Sequence, residues 1–364
     1  MEIIFYGAGK WGREALERYK RRGSARGTLK GFADSKKTGD YCGYPIIPIA
    51  EADGQKVCVV ITIQQPMIAG MVYNQLKRAG MERIYWFLNR EEKEGEQGDF
   101  LEEECRDLSD FGPCVLPKVE MHIADHCNLN CKGCTHFSPV FEKELPDFEE
   151  RMHDVALLKE KMPHIMLFSI LGGEPFLNPE IGRYAAAIRA LLPDTQIQIV
   201  TNGLLIPQLD GEILNTIREQ GVVIQISEYR PTYRIRGRIQ EKLDEYGVMY
   251  QIQPYEAKQK FIRPLSLSAH SRHPHACISD QCVNIWNGKI ARCPTLMYID
   301  RFNAAFDKSL PNEGILSLED CPKGTELLAL LERDVPLCRH CVRFETEWES
   351  CGGRPDVADF AGDD

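Results

Sequence analysis

From Lys118 to Gln253 the chain alternates short apolar runs with longer amphipathic ones, and no other feature narrows the choice of fold so far. The short runs are KVEMHI (Lys118 to Ile123), IMLFSIL (Ile165 to Leu171), QIQIVT (Gln196 to Thr201), VVIQIS (Val222 to Ser227) and VMYQIQ (Val248 to Gln253). Helical patterns fit between and around them at Phe148 to Lys161, Pro179 to Leu192, Leu209 to Gln220 and Tyr233 to Tyr246. Strands separated by crossovers of this length pair in parallel, giving an open sheet or barrel. Such folds gather their ligand groups at the C-terminal ends of the strands. The four stretches found there are CNLNCKGC, GGEP, TNG and SEY, one after each of the first four strands. Packing alone gives no reason for four polar or glycine-rich motifs at one mouth.

The stretch from Cys127 to Cys134 holds three cysteines in eight residues. With no secretion signal ahead of EIIFYG, a cytosolic chain is expected, where 14 cysteines are not a disulfide framework. Three thiolates on a four-iron cluster leave one iron open. Zinc on Cys127, Cys131, Cys134 and either His126 or His136 is the alternative, and packing the third. Net charge is −10 and no apolar run approaches a membrane span, so neither nucleic acid nor membrane is expected as a partner.

Before this region, strands at Ile3 to Gly7, Leu29 to Asp34, Val57 to Thr62 and Arg83 to Phe87, with helices at Lys10 to Tyr19 and Met67 to Ala79, describe a smaller α/β unit over residues 1–95. GAGKWG places Gly7, Gly9 and Gly12 between a strand and a helix, with Asp34 ending the next strand. That arrangement suits phosphate at a helix N-terminus and an acid on ribose hydroxyls. The acidic run that follows reads as a solvated linker over 96–114. Cys42, Cys58, Cys105 and Cys114 are expected to pack as small apolar residues. Arg234, Arg236 and Arg238 read as a solvated face, with an anion contact as the alternative. His270, His273 and His275 read as a loop.

CNLNCKGC, then GGEP about 40 residues later, then TNG, together resemble the radical S-adenosylmethionine superfamily over Val119 to Gln253. The resemblance implies a partial (β/α)6 barrel over 115–262. It implies a [4Fe-4S] cluster on Cys127, Cys131 and Cys134, with S-adenosylmethionine on the open iron. Glu174, beside Gly172 and Gly173, would then accept from the methionyl ammonium, and Asn202 and Ser227 would meet the carboxylate and ribose. The family usually has an aromatic residue before the third cysteine. Here it is Gly133, so Phe137 or His136 would cover the adenine.

Residues 263–364 lose the alternating rhythm. CVNIWNGKIARC (Cys282 to Cys293) reads as a hairpin turning at Asn287-Gly288, and Cys338-x2-Cys341 as a tight turn. The C-x10-G-x4-C spacing of Cys277, Gly288 and Cys293 resembles the auxiliary-cluster (SPASM/twitch-like) module found behind radical S-adenosylmethionine barrels. It implies a second [4Fe-4S] cluster on Cys293, Cys338 and Cys341, with Cys277 or Cys282 favoured as fourth ligand over Cys321 and Cys351. A structural zinc is the alternative. The first unit resembles the Rossmann-like nucleotide-sugar-binding domain ahead of bacterial sugar acetyltransferases; binding and a docking role both stay open. The function implied is radical hydrogen abstraction from a small, carbohydrate or nucleotide-linked substrate, an oxidoreductase-type dehydrogenation or epimerisation, with a flavodoxin or ferredoxin type donor. A peptide (RiPP) maturase and a non-catalytic iron–sulfur sensor or carrier are the rivals.

Overall fold

The computed structural model describes residues 1–90, 98–257, 259–270, 277 and 281–362. Part of the acidic run (91–97) and His273 and His275 lie outside them. The chain forms two compact units, Met1–Pro117 and Lys118–Asp364.

The first unit contains β1 (Glu2–Tyr6), α1 (Lys10–Arg22), β2 (Thr28–Ala33), the small hairpin β3 (Asp40–Tyr41) and β4 (Tyr44–Pro45), β5 (Val57–Ile61), α2 (Pro66–Arg78), β6 (Arg83–Phe87), α3 (Phe100–Glu103) and β7 (Cys105–Asp107). Its main sheet has the order β2-β1-β5-β6-β7. The first four strands run parallel, and β7 is antiparallel to β6. β5, VCVVI, is buried along its whole length, as a central parallel strand must be.

The acidic stretch is not a linker once the described residues resume at 98. Asp99 caps α3 by accepting from the Leu101 amide, worth about 1 kcal/mol. Phe100 is buried against Phe5 and Phe87, with ring centroids 5.5 and 6.0 Å apart. Glu104 is buried between Arg18 (2.7 Å) and Arg22 (2.8 Å). One apolar anchor and one paired acid thus draw a highly charged segment into the fold. Cys58, Cys105 and Cys114 are buried as expected; Cys42 is exposed, in the β3–β4 turn at φ 54°.

In the second unit come β8 (Val119–His122), α4 (Phe148–Lys161), β9 (Leu167–Leu171), α5 (Ile181–Leu191), β10 (Gln196–Thr201), α6 (Gly211–Glu219), β11 (Val223–Ser227), α7 (Arg230–Tyr233), α8 (Arg236–Glu245) and β12 (Tyr250–Gln253). These five strands are parallel neighbours in sequence order. Asp147 and Asp210 cap α4 and α6. Along β10 the isoleucines 197 and 199 are fully buried, and Gln196, Gln198 and Val200 on the other face are half-buried. That is the two-residue period of a strand between unlike environments.

Next come β13 (Lys260–Leu265), β14 (Val283–Trp286), β15 (Lys289–Ala291), α9 (Pro294–Met297), α10 (Ile299–Phe306), β16 (Leu316–Ser317), α11 (Gly324–Glu332) and β17 (Cys341–Glu347). The hairpin β14–β15 turns at Asn287 (φ 49°) and Gly288 (φ 72°), as Asn-Gly predicts. Two expectations change. Among the described residues the parallel run from β8 has five strands, not six. The place beside β8 is filled by β14, which adds in parallel with Val283 opposite Val119. No boundary falls at 262/263 either, since β13 begins at Lys260 and pairs with β17.

Candidate active site

The loop after β8 is shaped by left-handed residues at Asn130 (φ 47°), Gly133 (φ 71°) and Phe137 (φ 51°). It carries Cys127, Cys131 and Cys134 to the rim of a cavity of about 560 Å³. Gly172, Gly173, Asn202 and Ser227 line the same cavity, so the motifs after β8, β9, β10 and β11 do converge. The glycines serve the cysteine loop first. A Cβ on Gly172 would sit 2.0 Å from the Ala124 carbonyl oxygen, and one on Gly173 2.2 Å from that of His126.

Glu174, for which the methionyl ammonium is the expected partner, already meets donors of this chain. Its carboxyl is fully buried: one oxygen accepts from the Thr201 hydroxyl (2.7 Å) and the Phe176 amide (3.2 Å), the other from the Asn202 amide (2.9 Å). Burial raises its pKa to about 7 despite these donors. Its position after β9 ties that loop to the loop after β10, which makes it a brace. Asn202 donates to Asn128 Oδ1 (2.7 Å) and lies 3.8 Å from Cys127 Sγ. Arg236 is paired with Glu228, itself almost fully buried, while Arg234 and Arg238 are exposed.

The thiols differ in their surroundings. Burial pushes Cys127 up to about 12 and Cys131 up as well. Cys134 is also opposed by burial, yet the hydrogen bond with His136 holds it below an ordinary thiol. His136 is raised to about 9: burial works against its cationic form, but Cys134 and Glu120 outweigh it. His136 lines the cavity, as do Glu120 and Cys282. Glu120 is held by Lys118 (2.5 Å) and Asn284 (3.1 Å), and Lys118 reaches to 3.7 Å from Cys282 Sγ.

Phe137 is buried in the apolar core around Phe302 and Phe360 and does not line the cavity. The aromatic wall comes from Tyr229 and Phe261, which sequence reasoning missed. Gly133 has a steric reason: besides its positive φ, a Cβ there would meet the Ile262 carbonyl oxygen at 2.8 Å. Strand β13 fills the space an aromatic side chain would need.

A second, much smaller cavity of about 30 Å³ is lined by Cys277, Cys293, Cys338 and Cys341. Arg292 lines it too, with a guanidinium nitrogen 3.6 Å from Cys338 Sγ, and the Val335 amide donates to the same sulfur (3.4 Å). Burial raises Cys293 to about 12. Cys282 is not in this set, because pairing of β14 with β8 carries it to the large cavity. Cys321 is buried and donates to the Leu318 carbonyl (3.5 Å), and the Cys351 amide bonds to Asn130 in the first cysteine loop.

In the first unit, Gly7 has φ 121°, and a Cβ on Gly12 would lie 2.1 Å from the Gly7 carbonyl oxygen, so the last glycine permits close helix–strand packing. Gly9 caps α1. Asp34 turns inward: Oδ2 accepts from the Ala8 amide (2.9 Å), and Oδ1 from those of Lys36 (2.9 Å) and Lys37 (3.1 Å). It braces the glycine turn.

Residues 121–237 match the Radical SAM superfamily model. The GTP 3',8-cyclase of Heliobacterium modesticaldum is 28% identical over 98 residues, 26% of this chain and 29% of that protein. The match thus spans about three-tenths of that relative's length. Among solved structures, BtrN in complex with AdoMet and 2-DOIA overlaps 62% of this chain and 92% of its own at 14% identity and TM-score 0.38. Streptococcus suis SuiB bound to S-adenosylmethionine overlaps 38% and 33% at 20% identity and TM-score 0.31. These structural overlaps are too loose to carry an argument. The family match supports the Radical SAM superfamily, through the segment that holds the three cysteines, Gly172 to Pro175 and Asn202.

Proposed function

We propose that the large cavity is the active site of a radical S-adenosylmethionine enzyme, with a four-iron cluster on Cys127, Cys131 and Cys134 and the cosubstrate on the remaining iron. The observation that carries this reading is that the three thiols share one roomy cavity with Gly172, Gly173, Asn202 and Ser227. Three soft ligands and an open side suit such a cluster. It supplies the electron for reductive cleavage of the cosubstrate and hence a radical able to abstract hydrogen. The chain's own residues hold and orient. Tyr229 and Phe261 offer an apolar wall, and Glu120, fixed by Lys118 and Asn284, offers a polar one. A small polar substrate, carbohydrate or nucleotide-linked, suits that pairing of walls.

The smaller cavity is read as a second four-iron cluster on Cys277, Cys293, Cys338 and Cys341. Four cysteines leave no open iron, which favours electron transfer and a net oxidation of substrate. A flavodoxin or ferredoxin type protein is the proposed electron donor to the first centre. For the first unit, the inward-turned Asp34 favours docking over ribose binding. Among the described residues no helix is long and apolar enough to cross a membrane.

Anaerobic reconstitution followed by strong reduction with S-adenosylmethionine tests the reading. About eight irons per chain and formation of 5′-deoxyadenosine are expected. Intact clusters without that product would favour a sensor or carrier.

A further inference from the structure

The C-terminal segment returns to the three-cysteine loop across more than 200 residues of sequence. Immediately after β17, the indole Nε1–H of Trp348 donates to Cys131 Sγ at an N···S distance of 3.1 Å. The contact is built, not incidental. The Trp348 amide donates to the Gln259 carbonyl (2.8 Å), and its ring lies 5.5 Å from that of Tyr229, which lines the cavity. Beyond it the main chain continues the grip. The Lys132 amide donates to Glu349 (2.9 Å), the Cys351 amide to Asn130 (2.7 Å) and the Gly133 amide to Asp359 (2.6 Å). Lys132 Nζ also pairs with Glu349 at 2.8 Å.

An indole nitrogen is a donor only, so its orientation toward a sulfur has one chemical meaning. Cys131 is 8% exposed, so the indole meets its sulfur away from bulk water. A hydrogen bond to a ligating thiolate stabilises the more electron-rich, reduced state of the centre it belongs to. Resting on the reading of the large cavity given above, we propose that Trp348 is a positioning residue that tunes the first cluster. Its N–H raises the reduction potential of the centre on Cys127, Cys131 and Cys134, and the segment from Trp348 to Asp359 keeps the cysteine loop in register with that donor.

The test is Trp348→Phe, which retains a ring against Tyr229 and removes the N–H. Iron content is measured beside an anaerobic redox titration that follows the paramagnetic signal altered by S-adenosylmethionine. Equal iron with a more negative midpoint is expected, and equal iron with an unchanged midpoint would overturn the proposal. Should the variant lose its cluster, the unsubstituted protein decides the matter. Pulsed electron paramagnetic resonance of reduced protein carrying ¹⁵N-labelled tryptophan should show weak nitrogen coupling, and its absence would equally overturn the proposal. Iron that does not depend on Cys127, Cys131 and Cys134 would instead remove the parent reading, and this inference with it.

Discussion

The two cysteine cavities use the same ligand atom and little else in common. One has the three thiols of the loop after β8, with Cys282 on another wall, around about 560 Å³ that glycine backbone, Asn202, Ser227, Tyr229 and Phe261 also line. The other has four thiols around about 30 Å³, with Arg292 and Thr295 beside them and apolar side chains for the rest. Three clustered thiols beside empty space, with the fourth cysteine held apart on β14's flank, suit a centre that admits something. On the proposed reading, four thiols around so little space keep what they bind. On the proposed reading, the contrast separates a centre that meets cosubstrate from one that passes electrons or clasps the fold.

The largest effect that would sharpen this contrast comes from the closed site. The double variant Cys338→Ala/Cys341→Ala should lose about four irons and part of the stability of the second unit, because a metal bound there would also supply folding energy. It should still cleave S-adenosylmethionine under strong chemical reduction. One zinc and no iron in the unsubstituted site would make it a structural clasp.

Within the open site, Glu174→Ala should destabilise the second unit by about 1–3 kcal/mol, since the Thr201 hydroxyl and Asn202 amide lose their buried acceptor. Denaturant unfolding measures this. A loss of cosubstrate affinity at unchanged stability would mean that the carboxyl meets the ligand directly. Gly133→Ala should cost about 1–2 kcal/mol through left-handed strain, and more if Ile262 cannot retreat. Wild-type stability in that variant would contradict the crowding of the cysteine loop by β13. The smallest effect is expected from Cys282→Ser, which should leave both iron counts unchanged, whereas Cys277→Ser should empty the closed site. The reverse result would exchange the two cysteines between the cavities.

Much of this was legible in the sequence because it is local. The alternation from Lys118 to Gln253 gave five parallel strands, and strand ends brought Cys127, Gly172, Asn202 and Ser227 to one mouth. Asn287-Gly288 turned the hairpin as its backbone preferences require. What stayed hidden depends on pairings between distant segments. Cys277 and Cys282 are five residues apart, and only the addition of β14 beside β8 sends them to different cavities. Trp348 carries no motif, and its contact with Cys131 exists because β17 pairs with β13 and aims the chain at the loop. Glu174 and Asp34 were recognised as important acids, but among their donors within the chain, Thr201 and Asn202 for the one and Ala8 for the other are distant in sequence.

On the proposed reading, cosubstrate cleavage belongs to the large cavity and not to the small one. This assignment is tested most directly by replacing Cys127, Cys131 and Cys134 together with Ala and measuring iron and 5′-deoxyadenosine in the same anaerobic preparation. About four irons should disappear, about four should remain, and deoxyadenosine formation should be abolished. Continued formation of deoxyadenosine by the triple variant would contradict the assignment.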